Sequence, residues 1–207
     1  MDFFTNPNII FYLLAYLVGA IPFGLLLAKK FAGVDIQKSG SNSIGATNVL
    51  RVVKENDPKL AKKLGIATVV LDALKGAIVI LIAKMYGMPI ETLWAIAILS
   101  VIGHCYSIYL GGEGGKGVAT GLGVFLVLIP IPTIIGAIIW GFCAKVLKIS
   151  SLSSLLGLLG VIISALFLNN GLEVDSNIPM YIIGFIIFYK HIPNIVRLIQ
   201  GKETKVA

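Results

Sequence analysis

Runs of about twenty apolar residues recur along this sequence, and each has the length that a helix needs to cross a membrane. Only 13% of the 207 residues are charged, about half the usual share of a soluble domain. Water can therefore solvate little of the surface, and lipid must replace it. The apolar runs are Ile9–Ala28, Leu64–Ala83, Pro89–Leu110, Val118–Leu147, Ile149–Leu168 and the shorter Ile178–Tyr189. They predict an all-α, polytopic membrane protein.

The charge balance restricts the partners of the chain. The net charge is +7, and the basic residues lie in short loops between apolar runs. This arrangement favours anionic lipids or an anionic substrate and argues against nucleic acid. Cys105 and Cys143 lie inside apolar stretches without the spacing of a metal site, so we expect no metal and no cofactor. No Lys or Arg precedes the first run, which we therefore interpret as a retained span.

The long run Val118–Leu147 decides the predicted topology. A turn at Pro130–Pro132 divides it into two helices of roughly 13 and 15 residues, shorter than a standard span. That turn places all of the 17 basic residues except Lys75 and Lys84 on one side of the membrane. A single crossing would instead split the basic residues between both sides. The sequence therefore predicts seven transmembrane helices in a single domain, 1–207, with the N-terminus outside and the C-terminus cytoplasmic.

Three polar segments lie on the predicted cytoplasmic side, and the first is KSGSNSIGATNVLR at 38–51. Glycines let backbone N–H groups approach an anion, and hydroxyl and amide groups donate further hydrogen bonds. Arg51 is able to bind two phosphate oxygens at once. The alternative is an ordinary loop before a helix that starts near Val49. The candidate residues are Gly40, Ser41, Ser43, Gly45, Thr47, Asn48 and Arg51.

The second polar segment is GGEGGKGVAT at 111–120. Glycines before a helix start, with a lysine among them, are typical of a loop that binds phosphate. It is not a Walker A motif, because Gly117 stands where Ser or Thr would be needed. We therefore predict phosphate binding without a nucleotide, and the alternative is a flexible turn. The candidates are Gly114, Gly115, Lys116, Gly117 and Thr120.

The third polar segment is YKHIPNIVR at 189–197. On a helix, His191 and Asn194 are three residues apart and share a face, as do Asn194 and Arg197. A histidine here is able to orient a hydroxyl group or act as a base. The alternative is an interfacial helix end whose polar side chains face lipid headgroups.

Charged and titratable side chains inside the predicted spans form a separate group. Asp72 and Lys75 are three residues apart in the second run, so they can form an ion pair on one helix face. Charges inside a membrane are costly and usually serve a function. We expect both to support the site rather than to react, and His104 is either a site residue or a packed histidine.

Four segments, in the same order along the chain, are similar to the PlsY family of bacterial acyl-phosphate:glycerol-3-phosphate acyltransferases. They are KSGSNSIGATNVLR at 38–51, DALKG at 72–76, GGKGVAT at 114–120 and KHIPNIVRL at 190–198. The resemblance implies a seven-helix enzyme of the bacterial inner membrane with its active site on the cytoplasmic side. Such enzymes transfer a fatty acyl group from acyl phosphate to the 1-hydroxyl of glycerol 3-phosphate. Their products are lysophosphatidic acid and inorganic phosphate, and acyl-CoA is not the donor.

The family pattern also implies roles for individual residues. The family usually reads GSGN before GATN, whereas this chain has Asn42 and Ser43 at the last two of those positions. A hydroxyl group at Ser43 thus replaces the usual amide. The implied catalytic residues are Ser41, Arg51, Lys116, His191 and Asn194. The expected substrate-binding residues are Gly40, Ser43, Gly45, Thr47, Asn48, Gly114, Gly115, Gly117, Thr120 and Arg197, supported by Asp72, Lys75 and His104.

The chemistry of an acyl phosphate requires no acyl-enzyme intermediate, because phosphate is a good leaving group. We find no nucleophile motif in the sequence. The expected task is to position two anions and to offset their repulsion. Either loop is able to hold either phosphate, and either His191 or the donor phosphate can accept the proton. A transporter of a phosphorylated solute and a non-catalytic scaffold are the alternatives, although clustered polar loops on one side favour the enzyme.

Overall fold

The computed structural model describes residues 6–168 and 176–205, and this part of the chain folds into ten α-helices without a β-strand. Most of the polar turn predicted at Asn169–Asn177 lies outside the described residues. The helices are α1 Pro7–Ala20, α2 Phe23–Leu27, α3 Ala46–Lys54, α4 Pro58–Met85, α5 Ile90–Cys105, α6 Val118–Leu128, α7 Pro130–Leu147, α8 Ser150–Leu168, α9 Ile178–Lys190 and α10 Ile192–Ile199.

The second predicted span begins earlier than its apolar run. We expected it from Leu64, but α4 starts at Pro58 and is 28 residues long. The side chain of Asp57 accepts hydrogen bonds of 2.9 Å from the backbone N–H groups of Lys59 and Leu60. Pro58 occupies the first helical position, where no N–H group is needed. These two residues extend α4 beyond the apolar run at the polar end of the bundle.

The first predicted span is broken rather than continuous. Pro22 separates α1 from α2, and the two helices meet at an angle of 40°. The break leaves carbonyl groups without the N–H donors that a continuous helix would provide. Two buried side chains donate hydrogen bonds to these carbonyl groups instead. Lys75 donates to the carbonyl of Ile21 at 2.7 Å, and Ser107 donates to the carbonyl of Ala20 at 2.7 Å.

The predicted division of Val118–Leu147 is present, although the two lengths differ from the expected ones. α6 has 11 residues and α7 has 18. Pro130 is the first residue of α7, and Pro132 lies in the same first turn, where proline is tolerated. The sequence analysis placed both prolines in the turn between the two helices. Because they belong to α7 instead, α7 is longer than expected.

The apolar helices support the predicted membrane class. Within residues 6–168 and 176–205, four helical segments are long and apolar enough to cross a membrane, and the bent pairs α1–α2 and α9–α10 raise the number to six. The shorter α6 is the remaining helix of the predicted seven. Many large apolar side chains face outward, among them Leu13, Ile66, Phe142 and Phe185. The all-α, polytopic prediction is confirmed, while the orientation of the termini stays a prediction.

Two apolar cores position the polar segments. The larger core lies within the membrane-spanning helices and includes Trp94, Phe125 and Ile129. The smaller core packs α3 and the preceding loop against the start of α4, with Ile36 and Val49 fully buried. Since this second core includes residues on both sides of the 38–45 loop, it holds that loop over the end of the bundle.

Candidate active site at the polar end of the bundle

A cavity of about 450 Å³ opens at the end of the bundle that carries α3, the 111–117 loop and α10. All three polar segments contribute to its lining, so the predicted convergence is present. The predicted site residues that line the cavity are Gly40, Ser41, Ser43, Gly45, Thr47, Asn48, Arg51, Asp72, His104, Lys116, Gly117, His191, Asn194 and Arg197.

Three predicted binding residues of the second segment lie outside the cavity lining. A Cβ atom at Gly114 would collide with the carbonyl oxygen of His104, and one at Gly115 would collide with the His104 ring. The N–H group of Gly115 also donates to the His104 carbonyl at 3.0 Å. Thr120 is buried and packs against Gly76 of α4. These positions fix the loop and α6 against neighbouring helices, and of the predicted residues of this segment Lys116 and Gly117 line the cavity.

Asn48 holds the first loop in shape. Its amide nitrogen donates to the carbonyls of Ile36, Ser39 and Ser43 at 2.8, 3.1 and 2.9 Å, and its oxygen accepts the N–H group of Ser41 at 2.8 Å. The side chain is 1% exposed. Its polar groups are therefore committed to the loop, and we assign it a positioning role instead of the expected contact with substrate.

Two residues of the same loop adopt the left-handed backbone conformation. Gly40 has a φ of +65°, and a Cβ atom there would collide with Asn48. Asn42, where the family usually has glycine, has a φ of +57°. Asparagine is among the residues that tolerate this conformation best. The substitution at position 42 is thus compatible with the turn that the family glycine would form.

Four cationic side chains line the polar part of the cavity: Arg51, Lys116, Arg197 and Lys202. The pKa of Lys116 is lowered from 10.5 to about 8, mainly by burial and also by the positive charges of Arg197 and Arg51, while the negative charge of Glu203 opposes this shift. Arg51 donates to the hydroxyl oxygen of Thr204 at 2.8 Å. Arg197 is paired with Glu203 at 2.7 Å, and the other positive charges at this end of the cavity favour a bound anion such as a phosphate group.

The first turn of α8 also lines the cavity, and the sequence analysis did not single it out. The hydroxyl groups of Thr47 and Ser150 are 2.9 Å apart, and Ser151 and Ser154 line the wall beside them. A helix N-terminus with serines favours an anion. The signal was the serine-rich start of the run at Ile149, which we interpreted only as part of a span.

The C-terminal segment supplies an acidic residue that the sequence analysis also missed. Glu203 accepts hydrogen bonds from Asn194 at 2.6 Å, Ser151 at 2.7 Å and Arg197 at 2.7 Å. Burial opposes its ionisation, but these hydrogen bonds outweigh burial and hold the pKa of Glu203 below its usual value. A carboxylate is therefore fixed between α8 and α10.

This carboxylate settles which way the Asn194 amide points. An ionised carboxylate only accepts hydrogen bonds, so the amide nitrogen must face Glu203. The amide oxygen is then left buried and without a partner among the described residues. His191 is oriented in a similar way, because its Nδ1 lies 2.8 Å from the Ile187 carbonyl, which only accepts. His191 Nε2 is thus an acceptor at the cavity wall, and Asn194 Oδ1 is a buried acceptor beside it without a partner among the described residues.

The intramembrane ion pair lies beneath this mouth. Lys75 is 2.8 Å from Asp72, and His104 Nδ1 is 3.7 Å from the same Asp72 oxygen. Asp72 and His104 line the cavity, whereas Lys75 does not. Because Lys75 also binds the carbonyl at the α1–α2 break, we assign this pair a supporting role.

Below the polar mouth, the cavity continues between α6, α7 and α8. With distance from the polar end, hydroxyl groups give way to apolar and small side chains along α6 and α8, and α7 runs in the opposite direction beside them. This apolar part is lined by Leu122, Phe125, Thr133, Gly136, Ala137, Trp140, Gly157, Leu158 and Val161. We call it the chamber. A ligand that fills the whole cavity has an anionic head and a long apolar tail.

Comparisons with known proteins agree with this arrangement. Residues 9–201 match the family described as glycerol-3-phosphate acyltransferase. A protein of that name from Aliarcobacter butzleri (strain RM4018) is 73% identical over 206 residues, which cover 100% of both chains. The crystal structure of PlsY, an integral membrane glycerol 3-phosphate acyltransferase, in its glycerol 3-phosphate form is similar with a TM-score of 0.85 and 34% identity, over 97% of this chain and 96% of that chain. The lysophosphatidic acid form of the same protein is similar with a TM-score of 0.81 and 35% identity, over 96% of this chain and 94% of that chain.

Proposed function

The chain belongs to the glycerol-3-phosphate acyltransferase family of membrane enzymes in phospholipid synthesis, and we propose that its acyl donor is an acyl phosphate and its product lysophosphatidic acid. One observation carries this proposal: Arg51, Lys116 and Arg197 line the polar mouth of a cavity that continues into the largely apolar chamber. The cations suit two phosphate groups, and the chamber suits a fatty chain. The lysophosphatidic acid form of the related PlsY supports the same product.

The donor phosphate is assigned to the first loop and the start of α8. Arg51, Thr47 and Ser150 surround this position, with Ser41 beside them. The donor's carbonyl group then lies where the polar mouth meets the chamber, and its chain enters the chamber. Lys116 is assigned to the phosphate of glycerol 3-phosphate, together with the backbone of Gly117.

In the proposed reaction, the 1-hydroxyl oxygen of glycerol 3-phosphate forms a bond to the acyl carbonyl carbon. The bond from that carbon to the phosphate oxygen breaks, and inorganic phosphate leaves with the electron pair. The hydroxyl proton passes to His191 Nε2 or to the departing phosphate. Asn194 Oδ1 accepts a hydrogen bond from the glycerol and orients it. The cations stabilise the negative charge that develops on the donor.

Purified protein given palmitoyl phosphate and labelled glycerol 3-phosphate tests the donor. We expect lysophosphatidic acid and inorganic phosphate in equal amounts. Palmitoyl-CoA in the same assay is the control, and we expect it to give no product. Equal use of palmitoyl-CoA, or release of phosphate without an acylated glycerol, would contradict the proposal.

The same assay in sealed vesicles tests the proposed sidedness, with the active site and C-terminus cytoplasmic in the bacterial inner membrane and the N-terminus outside. Glycerol 3-phosphate is charged and does not cross the bilayer unaided. Inside-out vesicles should therefore acylate external glycerol 3-phosphate directly, and right-side-out vesicles only after permeabilisation. The opposite result would reverse the orientation.

Replacing Glu203 with glutamine should lower kcat by about tenfold to a hundredfold, the usual effect of losing hydrogen bonds to a charged group. A glutamine side chain has one acceptor oxygen, so it cannot satisfy Asn194, Ser151 and Arg197 together. The glutamine NH2 group would then face either Arg197 or the Asn194–Ser151 pair, so one side of this network loses its acceptor. Steady-state kinetics of Glu203→Gln alongside Lys205→Ala, which changes an exposed residue of the same segment, measures the effect.

Thermal unfolding of both variants separates positioning from folding. A Glu203→Gln protein with an unchanged melting temperature and a reduced kcat supports the positioning role. A variant with the kinetics of the unaltered enzyme would refute it.

A further inference from the structure

We propose that Phe125, Thr133 and Val161 form the floor of the chamber and set the longest acyl chain that it accommodates. This inference rests on the proposed acyl donor and adds a chain-length limit to it. The three residues come from α6, α7 and α8, and each lines the cavity at the end farthest from the polar mouth. Phe125 is 2% exposed, Thr133 1% and Val161 6%, so the floor is part of the protein interior.

The depth of the chamber is of the right order for a fatty chain. Ser150 lies at the mouth and Val161 at the floor of the same helix, a distance of about 16 Å at 1.5 Å per residue. A saturated chain with C–C bonds of about 1.5 Å advances about 1.25 Å per carbon, so about 13 extended carbons reach the floor. The last carbons of common fatty acids must then meet these three side chains or bend away.

The protein beneath the floor is densely packed. Ile129 is fully buried there, and the Phe125 ring lies 6.3 Å from the ring of Trp94, which is 1% exposed. The hydroxyl group of Thr133 donates to the Ile129 carbonyl at 2.7 Å, so it contributes no free polar group to the chamber. Packed interiors resist added volume, and a longer chain cannot push through this layer.

The selection against long chains must be steric. An acyl phosphate leaves a bilayer whose interior is as apolar as the chamber, so each added carbon gains little from burial. An acyl chain that is longer than the distance from the mouth to the floor has to fold back or leave through the side of the cavity. On that side, Val69 and Trp140 are 37% and 44% exposed. Either route moves the carbonyl group away from its position at the mouth.

Two substitutions change the chamber in opposite directions. Phe125→Ala deepens it, and Ala137→Leu narrows its wall between mouth and floor. We measure kcat/KM of the full-length protein in lipid nanodiscs with acyl phosphates of 12, 14, 16 and 18 carbons. Phe125→Ala should raise the ratio of the 18-carbon to the 14-carbon substrate by about tenfold, and Ala137→Leu should lower it by a similar factor. Leu126→Ala, half-exposed and next to Phe125, is the matched control and should leave the ratio unchanged.

The outcomes separate this inference from the function on which it rests. Opposite shifts of the 18-carbon to 14-carbon ratio in the two variants support the proposed floor. If Phe125→Ala fails to fold, a lowered ratio in Ala137→Leu alone supports it. An unchanged chain-length profile in a folded Phe125→Ala, or in Ala137→Leu, would show that the chain leaves sideways, and would overturn the floor while the acyl phosphate donor stands. Failure of the unaltered enzyme to use any acyl phosphate would overturn both.

Discussion

Replacing Arg51 with alanine is expected to lower kcat/KM by about 10²–10³-fold, as for the loss of a donor that stabilises charge in a transition state. Arg51 lines the cavity opposite the start of α8 and is assigned to the donor phosphate. The leaving phosphate gains charge as its bond to the acyl carbon breaks, and the guanidinium is placed to offset it. Because this charge is largest in the transition state, we expect the loss mainly in kcat.

Two further variants make the Arg51 result specific. Arg51→Lys keeps the charge but loses the planar guanidinium group, which can bind two phosphate oxygens at once. Its activity should therefore lie between that of Arg51→Ala and that of the unaltered enzyme. Lys63→Ala removes an exposed charge near the start of α4, at the same end of the bundle as Arg51, and should have no effect on kcat. An Arg51→Ala enzyme that retains full turnover would reject the proposed scheme.

Replacing Lys116 with methionine should lower kcat/KM by about 10²–10³-fold, as when one partner of a buried charged pair is truncated. Lys116 is held near Arg51 and Arg197, and its assigned ligand is the phosphate of glycerol 3-phosphate. The effect should therefore be strongest in KM for glycerol 3-phosphate. Lys145→Met, which removes an exposed lysine at the end of α7, is the control, and an unchanged KM in Lys116→Met would reassign the glycerol 3-phosphate site.

The pH dependence of KM gives a second test of Lys116. Burial lowers the pKa of this lysine to about 8, so it carries a positive charge below pH 8 and loses it as the pH rises through that value. KM for glycerol 3-phosphate should rise above pH 8, by about tenfold per unit once the neutral form dominates. Lys116→Arg keeps its charge throughout this range and should remove the dependence. A rise that persists in Lys116→Arg would assign it to another group.

The apolar chamber distinguishes the enzyme from the transporter that the sequence alone left open. A small phosphorylated solute has no apolar part to fill the chamber that continues between three helices below the cationic mouth. The intramembrane charged pair Asp72–Lys75 is held at the α1–α2 break, where Lys75 donates to the carbonyl of Ile21. The scaffold alternative does not account for the cations at the cavity mouth.

The sequence alone determined the membrane class, the division of Val118–Leu147 near Pro130–Pro132 and the convergence of three polar segments. Each follows from a local pattern: the length of an apolar run, the absent N–H group of proline, or the side on which basic residues lie. Even the Asp72–Lys75 pair was predictable, because residues three apart on a helix are neighbours.

Only the tertiary structure decided which of the predicted site residues line the cavity and which of them hold the loops. Asn48 carried the same motif signal as Thr47, yet its amide is used within the loop, and the glycines before Lys116 pack against His104. Ser150 and Thr204 reach the site through contacts with residues 103 and 153 positions away in the chain. Such contacts depend on how the helices pack, and no local sequence pattern encodes that packing.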